Sequence, residues 1–329
     1  MRLNWVAYNY RPWDGYGRYG AHLIQALRRA GVTVSPWLGE QSNAPGWMRK
    51  EWGMDWSNLT ISCLPALYMY GLPGRQWLLT MTEGSEMPIG WADIINKHNP
   101  ERVIVPCEAN AETFRAGGVR APVHVIPGGT DPDEFPVMEI KKHGRVPYTF
   151  LALGDRGSRK GWSEVWMAFF QAFGTPADTP DVRLIIKVRP ESNDVLDLIA
   201  KASNPDPRIR IWNEDVLSMW EVYAACDCFC FPSRFEGWGM PPREAAMMGI
   251  PVIVQQHSGL DDGYTTEWAQ VLPMGKLEAI PTMFENIKGE WWKADIGALA
   301  KAMRWCYDDP VLAAIEGAAA STWLRTHQT

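Results

Sequence analysis

The stretch at residues 229–255 constrains the fold of this chain more than any other part of the sequence. It reads as a short apolar strand that ends near Pro232, a glycine-containing loop, a helix that ends at Gly249, and a second apolar strand. Two prolines after the loop suit a helix start, because a missing N–H costs little there. This order predicts a parallel α/β sheet with the loop at the carboxyl end of a strand, where the helix N-terminus favours anions.

Two carboxylates stand out in this apolar stretch. Glu236 lies in the loop and Glu244 lies on the predicted helix, eight positions later. Charged side chains in such a segment indicate either recognition of ligand hydroxyls or a surface glutamate plus a helix N-terminal charge. Gly237 and Gly239 flank Trp238, so the backbone can turn sharply or approach a ligand closely.

These residues resemble the E-x7-E pattern of the retaining GT-B glycosyltransferases of the large family 4 group. The matching positions are Pro232, Ser233, Glu236, Gly237, Trp238, Gly239, Pro241, Glu244, Ala245, Gly249, Pro251 and Val252. The resemblance implies an α/β fold of the GT-B type, with two Rossmann-like domains facing a central cleft. It implies that Glu236 and the N–H groups of Trp238 and Gly239 hold the donor sugar, with Gly237 in the same loop, and that Glu244 holds the ribose hydroxyls.

The same resemblance implies a reaction. A sugar would pass from a nucleotide-diphosphate sugar to an acceptor hydroxyl, with retention of anomeric configuration and without a metal ion or other cofactor. The acceptor would be a carbohydrate, a lipid-linked sugar or another hydroxyl compound. The leaving phosphate itself would take the acceptor proton, so no side-chain nucleophile is implied.

A basic loop follows the apolar run 148–153 and precedes a predicted helix. Arg156, Arg159 and Lys160 place three cations within five residues at this junction. Cations at a strand-to-helix loop indicate an anion site, and a guanidinium fork suits phosphate oxygens. The alternative is a solvated basic turn.

This loop resembles the G-R-x4-K-G loop of the same family, whose arginine and lysine hold the donor pyrophosphate. The glycines and Lys160 match, whereas Asp155 stands at the arginine position. The resemblance implies catalytic roles for Lys160 and Glu236. Arg156 or Arg159 would then reach the phosphate in place of the missing arginine, with Arg156 as the catalytic candidate and Arg159 as a donor contact.

The N-terminal part contains another strand, glycine loop and helix unit. Gly15 and Gly17 follow an apolar strand and open a helix that runs to about Ala30. Glycines at such a junction let the backbone approach a phosphate at the helix N-terminus. This loop also resembles the glycine loop after the first strand of family 4 enzymes, which implies a donor contact.

Two further carboxylates follow the predicted strand at residues 76–81. Many members of the family carry a histidine in this part of the first domain that touches the donor sugar, and this chain has Glu83 and Glu86 instead. Both are candidate contacts on the acceptor or sugar side. The irregular residues 39–58 are a candidate acceptor loop, and a packed surface loop is the alternative.

The sequence also supports predictions about the roles of three other polar segments. Asn213 and Glu214 follow the predicted strand 209–212, and the resemblance implies that this loop edges the nucleobase. His257 lies in a loop, where a histidine is more often solvated than engaged with a ligand. The acidic pair around Pro132 is predicted to form a turn and not a metal site.

Length and charge limit the number of domains and the kinds of partner that this chain can have. The chain has 329 residues, enough for two domains, and its net charge of −6 with a pI near 5.6 does not suggest a nucleic-acid partner. The predicted domains are 1–140 on the acceptor side, 141–308 on the nucleotide-sugar side and a helical tail at 309–329, with a hinge near residues 138–147. Neither a signal peptide nor a transmembrane run is predicted.

Six cysteines are present without a C-x-x-C pair or a histidine at ligand spacing. They are predicted to be reduced and core-facing, as in a cytosolic protein. Cys226, Cys228 and Cys230 alternate along a predicted strand and are expected to share one face.

Other functions remain open at this point. A carbohydrate-binding or nucleotide-sugar-binding protein with a decayed active site would account for Asp155 and for the missing histidine. A nucleotide-sugar epimerase or a phosphorylase on the same fold is a further reading. The sequence leaves open the base and sugar of the donor, the acceptor, the oligomeric state and whether a final crossover helix is present.

Overall fold

A computed structural model describes residues 1–9, 15–40, 54–138, 146–154, 158–190, 206–282 and 287–329. Backbone contacts divide the chain into two compact units. The first unit comprises Met1–Gly129 and Ala279–Glu290, and the second comprises Thr130–Glu278 and Trp291–Thr329. Most of the predicted loop at 39–58 and most of the predicted hinge at 138–147 lie outside the described residues.

The first unit is built on one parallel sheet. Its strands are β1 (Arg2–Asn9), β2 (Thr33–Glu40), β3 (Leu59–Cys63), β4 (Gln76–Leu79), β5 (Arg102–Val105) and β6 (Val123–Val125). Its helices are α1 (Gly15–Arg29), α2 (Trp91–His98) and α3 (Glu108–Ala116). The strands lie in the order β2-β1-β3-β4-β5-β6, and every pair is parallel. The apolar runs become strands because both faces of such a sheet are covered.

The second unit repeats this plan. Its strands are β7 (Tyr148–Leu153), β8 (Val182–Lys187), β9 (Ile209–Trp212), β10 (Cys228–Phe231), β11 (Val252–Gln255) and β12 (Gln270–Leu272). Its helices are α4 (Trp162–Phe173), α5 (Met219–Tyr223), α6 (Met240–Met247), α7 (Ile296–Asp308) and α8 (Pro310–His327). The strands are parallel in the order β12-β11-β10-β7-β8-β9. This is the strand order of a Rossmann fold.

The two faces of the second sheet carry separate apolar cores. Alternate residues of β10 point to opposite faces, so Cys228 and Cys230 pack in one core and Phe229 and Phe231 in the other. All six cysteines are buried and free of disulfides. The expectation that Cys226 shares a face with the other two was wrong, because it precedes the strand and packs with the phenylalanine side.

Two helices, α7 and α8, form the C-terminal part of the described chain. The helical segment at the C-terminus breaks at Asp309, whose side chain accepts a hydrogen bond from Leu312 and caps α8. The acidic pair forms the predicted turn, since the Asp131 side chain accepts from the N–H of Asp133 at 3.0 Å. No described helix has the length and apolar character that a membrane crossing requires.

A hairpin leaves the second unit and returns to it. Its strands are β13 (Lys276–Ala279) and β14 (Glu290–Lys293), which form a sheet of their own. The segment Ala279–Glu290 is grouped with the first unit, although it lies far along the sequence. Sequence patterns gave no indication of this long-range association.

Candidate active site

The second sheet reverses its strand order between β7 and β10. These two strands are parallel neighbours, with Leu151 opposite Phe229. The chain leaves β7 through α4 towards β8 on one side, and it leaves β10 through α6 towards β11 on the other. Their loops diverge at the carboxyl ends of the strands, and such a switch point is where open α/β sheets bind ligands.

The loop after β7 lies directly against the loop after β10. Gly161 has φ +69°, and a Cβ there would lie 2.2 Å from the Pro232 carbonyl oxygen. The N–H of Arg234 donates to the Arg159 carbonyl at 2.7 Å. Glycine alone combines this backbone conformation with the absence of a side chain. The contact therefore brings the predicted basic loop to the predicted acidic loop.

The carboxylate of Glu236 is the meeting point of these two loops. Its Oε1 accepts hydrogen bonds from Lys160 Nζ at 2.7 Å and from Arg159 Nη1 at 2.9 Å. The same oxygen accepts a third hydrogen bond, from Ser233 Oγ at 2.6 Å. Lys160 Nζ also lies 5.1 Å from the centroid of the Phe231 ring, at cation–π distance. The structure thus brings together three of the predicted site residues.

Charge decides the protonation state of Glu236. The residue is only 5% exposed, and burial by itself would raise its pKa. The positive charges of Lys160 and Arg159, helped by the hydrogen bonds to the carboxylate, outweigh burial and lower the pKa of Glu236 to about 2. Glu236 is therefore ionised at neutral pH and can only accept hydrogen bonds.

Arg243 on α6 holds the glycine loop from behind and is fully buried. Its guanidinium donates to the carbonyl oxygens of Trp238 and Gly239, and to that of Gly259 at 3.1 Å. It also donates to Asp262 Oδ2 at 2.7 Å. A planar fork with several fixed donors is well suited to bind several carbonyls at once. This one side chain thus joins the glycine loop to the loop that follows β11.

The glycine loop ends at the N-terminus of α6. Gly239 is the N-cap residue with φ +76°, and a Cβ there would lie 2.4 Å from the Leu260 side chain. The Trp238 ring is buried, and Arg243 Cζ lies 3.8 Å from its centroid. The Trp238 side chain therefore belongs to the packed interior. The predicted ligand contact of this residue and of Gly237 concerns main-chain atoms.

Glu244 lies eight residues after Glu236, on α6, and occupies a different environment. It is 1% exposed, and its Oε2 accepts a hydrogen bond from the Tyr223 hydroxyl at 2.7 Å. In the part of the chain that the structure describes, the hydrogen bonds of Lys160 and Glu236 do not include Glu244. The predicted ribose contact of Glu244 stays a prediction.

His257 is buried, with 4% exposure, and the prediction of a solvated loop histidine was wrong. The loop after β11 folds back beneath Glu236, so that His257 Nε2 contacts the Ser233 carbonyl oxygen and Nδ1 lies 3.0 Å from Ser258 Oγ. Burial lowers the pKa of His257 to about 4, although the hydrogen bond with Ser233 and the charge of Glu236 oppose this shift. The ring is neutral at neutral pH.

The glycine loop of the first unit forms the start of α1. Gly15 is exposed and Gly17 is buried. Between them, Tyr16 donates its hydroxyl to the Met81 carbonyl at 2.7 Å and accepts from the Met81 N–H at 2.9 Å. The first turn of α1 is thereby tied to the segment that follows β4.

That segment carries Glu83, which is half-buried, and Glu86, which is exposed. The Glu86 N–H donates to the Lys288 carbonyl at 3.2 Å, so the segment Ala279–Glu290 pairs with this loop. The segment that carries both carboxylates therefore pairs with Ala279–Glu290, which no sequence pattern connects with it.

The two residues predicted to edge the nucleobase lie apart from the Glu236 cluster. Asn213 and Glu214 are exposed after β9, the edge strand of the second sheet, with β8 between that strand and β7. Arg156, and Asp155 beside it, lie outside the described residues. Arg159, the other arginine of the basic loop, donates to Glu236 beside Lys160.

Sequence reasoning missed two buried arginines of this region. Arg243 is one, and Arg234 is the other, whose guanidinium contacts the buried carboxylate of Glu164. The available signal was an arginine within an otherwise apolar helix and another inside a loop of buried residues. A charge in such surroundings needs a partner, and that rule was applied only to the glutamates.

The described residues contain no group of three or more His, Cys, Asp or Glu side chains that could hold a metal ion. A surface cavity of about 1100 Å³ is lined by residues between Gln270 and Trp305, and none of the predicted site residues lines it. The Glu236 cluster is therefore identified by its chemistry and by its position at the strand switch point, not by cavity size.

Comparison with known proteins points to a family for part of the chain. The sequence profile of the family described as Glycosyl transferases group 1 matches residues 139–265. That range includes both loops of the candidate site, β10 and α6.

Two curated proteins are similar over parts of the chain. A mannosylfructose-phosphate synthase of Agrobacterium fabrum is 27% identical over 158 residues, which cover 43% of this chain and 34% of that protein. An uncharacterized glycosyltransferase 335 of Sulfolobus islandicus rod-shaped virus 1 is 34% identical over 71 residues, which cover 22% of this chain and 20% of that protein. The matched stretches span about a third of the first relative's length and a fifth of the second's.

Solved glycosyltransferase structures share the fold. A sucrose-phosphate synthase from Thermosynechococcus elongatus superposes with a TM-score of 0.71 at 15% identity, over 100% of this chain and 95% of that chain. Anabaena HepE in complex with UDP and glucose gives 0.66 at 13% identity, with coverages of 100% and 95%. These likenesses confirm the fold class, which is α/β of the GT-B type with two Rossmann-like domains.

Proposed function

We propose that this protein is a glycosyltransferase, which moves a sugar from a nucleotide-diphosphate sugar to an acceptor hydroxyl with retention of anomeric configuration. The observation that carries the proposal is the convergence of Lys160 and Arg159 on Glu236 at the β7–β10 switch point. Such a reaction needs positive charge for the departing diphosphate and negative charge near an oxocarbenium-like sugar. The family match over the same residues supports this assignment.

Lys160 supplies the positive charge in this proposal. Its side chain is 13% exposed, and among the described residues its ammonium has one hydrogen bond, to Glu236. An ammonium has more N–H donors than that single bond uses, so it can also bind a phosphate oxygen. With Arg159 beside it, it neutralises the leaving diphosphate in the role that a metal ion has in other enzymes. The catalytic role of Arg156 remains a prediction of the same kind.

Glu236 acts on the sugar in this proposal. Its low pKa keeps it ionised, so it accepts hydrogen bonds from the sugar hydroxyls and stabilises positive charge on the ring. The main-chain N–H groups of Gly237, Trp238 and Gly239 assist at the N-terminus of α6. Glu244 would bind the ribose hydroxyls.

The remaining predicted contacts complete the proposed donor and acceptor sites. Gly15 and Gly17 would donate N–H groups to the donor from the start of α1. Asn213 and Glu214 would edge the nucleobase. Glu83 is the candidate for the acceptor or sugar hydroxyls because it is half-buried beside the tied segment after β4.

Release of nucleoside diphosphate is the direct test. Purified protein is incubated with UDP-, GDP- and ADP-sugars and a panel of hydroxyl acceptors, and the Lys160→Met variant is assayed beside it. UDP-glucose is the first donor to test, because HepE was solved in complex with it. Turnover that depends on Lys160 supports the proposal, whereas saturable donor binding without turnover identifies a binding protein instead.

A further inference from the structure

Four groups around Glu236 form a closed chain of hydrogen bonds. The Glu236 main-chain N–H donates to Ser258 Oγ at 3.1 Å, and Ser258 Oγ lies 3.0 Å from His257 Nδ1. His257 Nε2 contacts the Ser233 carbonyl oxygen. Ser233 Oγ donates to Glu236 Oε1 at 2.6 Å and closes the circuit. The circuit therefore begins at the backbone of Glu236 and ends at its side chain.

The direction of each bond follows from the chemistry of the partners. A carbonyl oxygen can only accept, so His257 Nε2 carries the proton and Nδ1 is an acceptor. The Ser258 hydroxyl accepts from the Glu236 N–H, and its own proton is free to donate to His257 Nδ1. Ser233 must donate to the ionised carboxylate. One neutral tautomer of His257 satisfies all four groups.

The backbone of Ser258 gives an independent reason to assign a function to its hydroxyl. Ser258 has φ +47°, a left-handed conformation that glycine adopts without strain and other residues adopt at a cost. A serine here is less favourable for the backbone than a glycine would be. Strained residues of this kind collect at functional sites, where the surroundings hold them in place.

The circuit also determines which oxygen of the Glu236 carboxylate is occupied by hydrogen bonds from the protein. Every described hydrogen bond to the Glu236 carboxylate falls on Oε1, which accepts from Ser233, Lys160 and Arg159. With Oε1 held by three donors, Oε2 is the oxygen that a ligand hydroxyl can address. A partial rotation of the carboxylate would break all three bonds, so the position of the second oxygen is fixed as well.

We propose that Ser233, His257 and Ser258 are positioning residues, which hold the Glu236 carboxylate so that Oε2 is presented to a hydroxyl of the bound sugar. This inference rests on the proposed function for its ligand. The three residues act through Glu236 and contact no substrate themselves. His257 is held inside the circuit as a neutral link and transfers no proton.

The test uses Ser258→Gly, because this change removes the hydroxyl and relieves the backbone strain together. We expect an unchanged or higher Tm and a fall of about 10-fold or more in kcat, since a misplaced catalytic group costs rate even when folding is intact. The matched control is Asn99→Gly, another non-glycine residue at φ +46°, at the end of α2 in the first unit. It should keep the wild-type kcat.

A merely structural role for Ser258 would leave kcat unchanged when stability is unchanged, and that result overturns the proposal. His257→Ala should lower kcat as Ser258→Gly does, and His257→Gln, which retains a donor for the Ser233 carbonyl, should recover part of it. Failure of His257→Ala to lower kcat in a folded variant also overturns it.

A second measurement separates this inference from the proposed function. If the wild type turns over no donor, the proposed function fails, and the circuit is then judged by ¹⁵N NMR of the histidine ring. A neutral Nε2–H tautomer whose Nδ1 shift changes in Ser258→Gly supports the circuit. An Nδ1–H tautomer, or a shift insensitive to Ser258→Gly, overturns it.

Discussion

Lys160 Nζ and Glu236 Oε1 lie 2.7 Å apart, and their side chains are only 13% and 6% exposed. Such a pair is costly to desolvate and is weak evidence for a stabilising role. Its position at a strand switch point gives it another meaning, because both groups retain the charge that the proposed reaction needs.

Replacing Lys160 with methionine should lower kcat by about 10²-fold, because the positive charge next to the leaving diphosphate is lost. Methionine retains most of the apolar stem against the Phe231 ring, so packing is largely preserved. Lys301→Met, in the same unit on α7, is the control and should keep wild-type turnover. Steady-state release of nucleoside diphosphate measures both, and an unchanged rate for Lys160→Met would remove this residue from the mechanism.

Replacing Glu236 with glutamine should affect both rate and stability. The variant leaves Lys160 and Arg159 without their described carboxylate, and breaking a buried pair in this way costs about 3 kcal/mol. We also expect a fall of about 10²-fold or more in kcat, since the amide cannot stabilise positive charge on the sugar. Urea unfolding and donor turnover report the two effects separately. Full activity in Glu236→Gln would contradict the assigned role.

The order of elements was predictable because parallel strands buried on both faces are continuous apolar runs. The strand 148–153 and the loop that carries Glu236 were located in this way, and the resemblance linked Lys160 to Glu236. Arg243 and the His257 circuit were not predictable. Their partners are main-chain carbonyls and hydroxyls from separate loops, and the sequence carries no pattern for such contacts.

The association of Ala279–Glu290 with the first unit also could not be predicted. It includes backbone pairing between Glu86 and Lys288 and a hydrogen bond from the Glu290 N–H to Ser85 Oγ, and neither contact leaves a pattern in the sequence. The prediction that His257 is solvated was wrong for a related reason. A loop residue was judged by its neighbours in sequence, whereas its burial is set by the loop after β10, which lies above it.

Stability should fall as the pH is lowered from about 6.5 towards 4. In the unfolded protein, His257 takes up a proton near the ordinary pKa of histidine. In the folded protein, burial holds the pKa of His257 at about 4. Between these values the unfolded state binds more protons, so the free energy of unfolding decreases by roughly 3 kcal/mol. Chemical denaturation across this range measures it. His257→Gln should show a shallower pH dependence, and identical slopes would contradict the buried neutral state.

Replacing Arg243 with lysine should destabilise the protein by about 3 kcal/mol or more, because one ammonium cannot replace a fork that donates to Trp238, Gly239 and Gly259 carbonyls and to Asp262. Arg304→Lys is the control. Arg304 pairs with Asp308 on the surface of α7. Replacing Arg304 with lysine should therefore lower the free energy of unfolding by less than about 1 kcal/mol. Thermal unfolding of both variants provides the comparison, and equal Tm values would contradict the scaffold role of Arg243.

Replacing Gly161 with alanine tests the contact between the two site loops. A Cβ at this position would lie 2.2 Å from the Pro232 carbonyl oxygen, so one loop must shift and carry Lys160 away from Glu236. Moving Lys160 away from Glu236 in this way should lower kcat by about 10²-fold. Gly31→Ala is the matched control. Gly31 also has a left-handed backbone, at φ +79°, but a Cβ there meets nothing within 4 Å.

Both alanine variants bear the backbone cost of a left-handed conformation, about 1–2 kcal/mol. Gly161→Ala bears the steric shift in addition. We therefore expect a lower Tm for both and a loss of turnover for Gly161→Ala alone, measured on samples shown to be folded by circular dichroism. If Gly31→Ala lost turnover to the same extent, backbone strain alone would account for the effect. If Gly161→Ala kept wild-type turnover, close packing of the two loops would not be what places Lys160 beside Glu236.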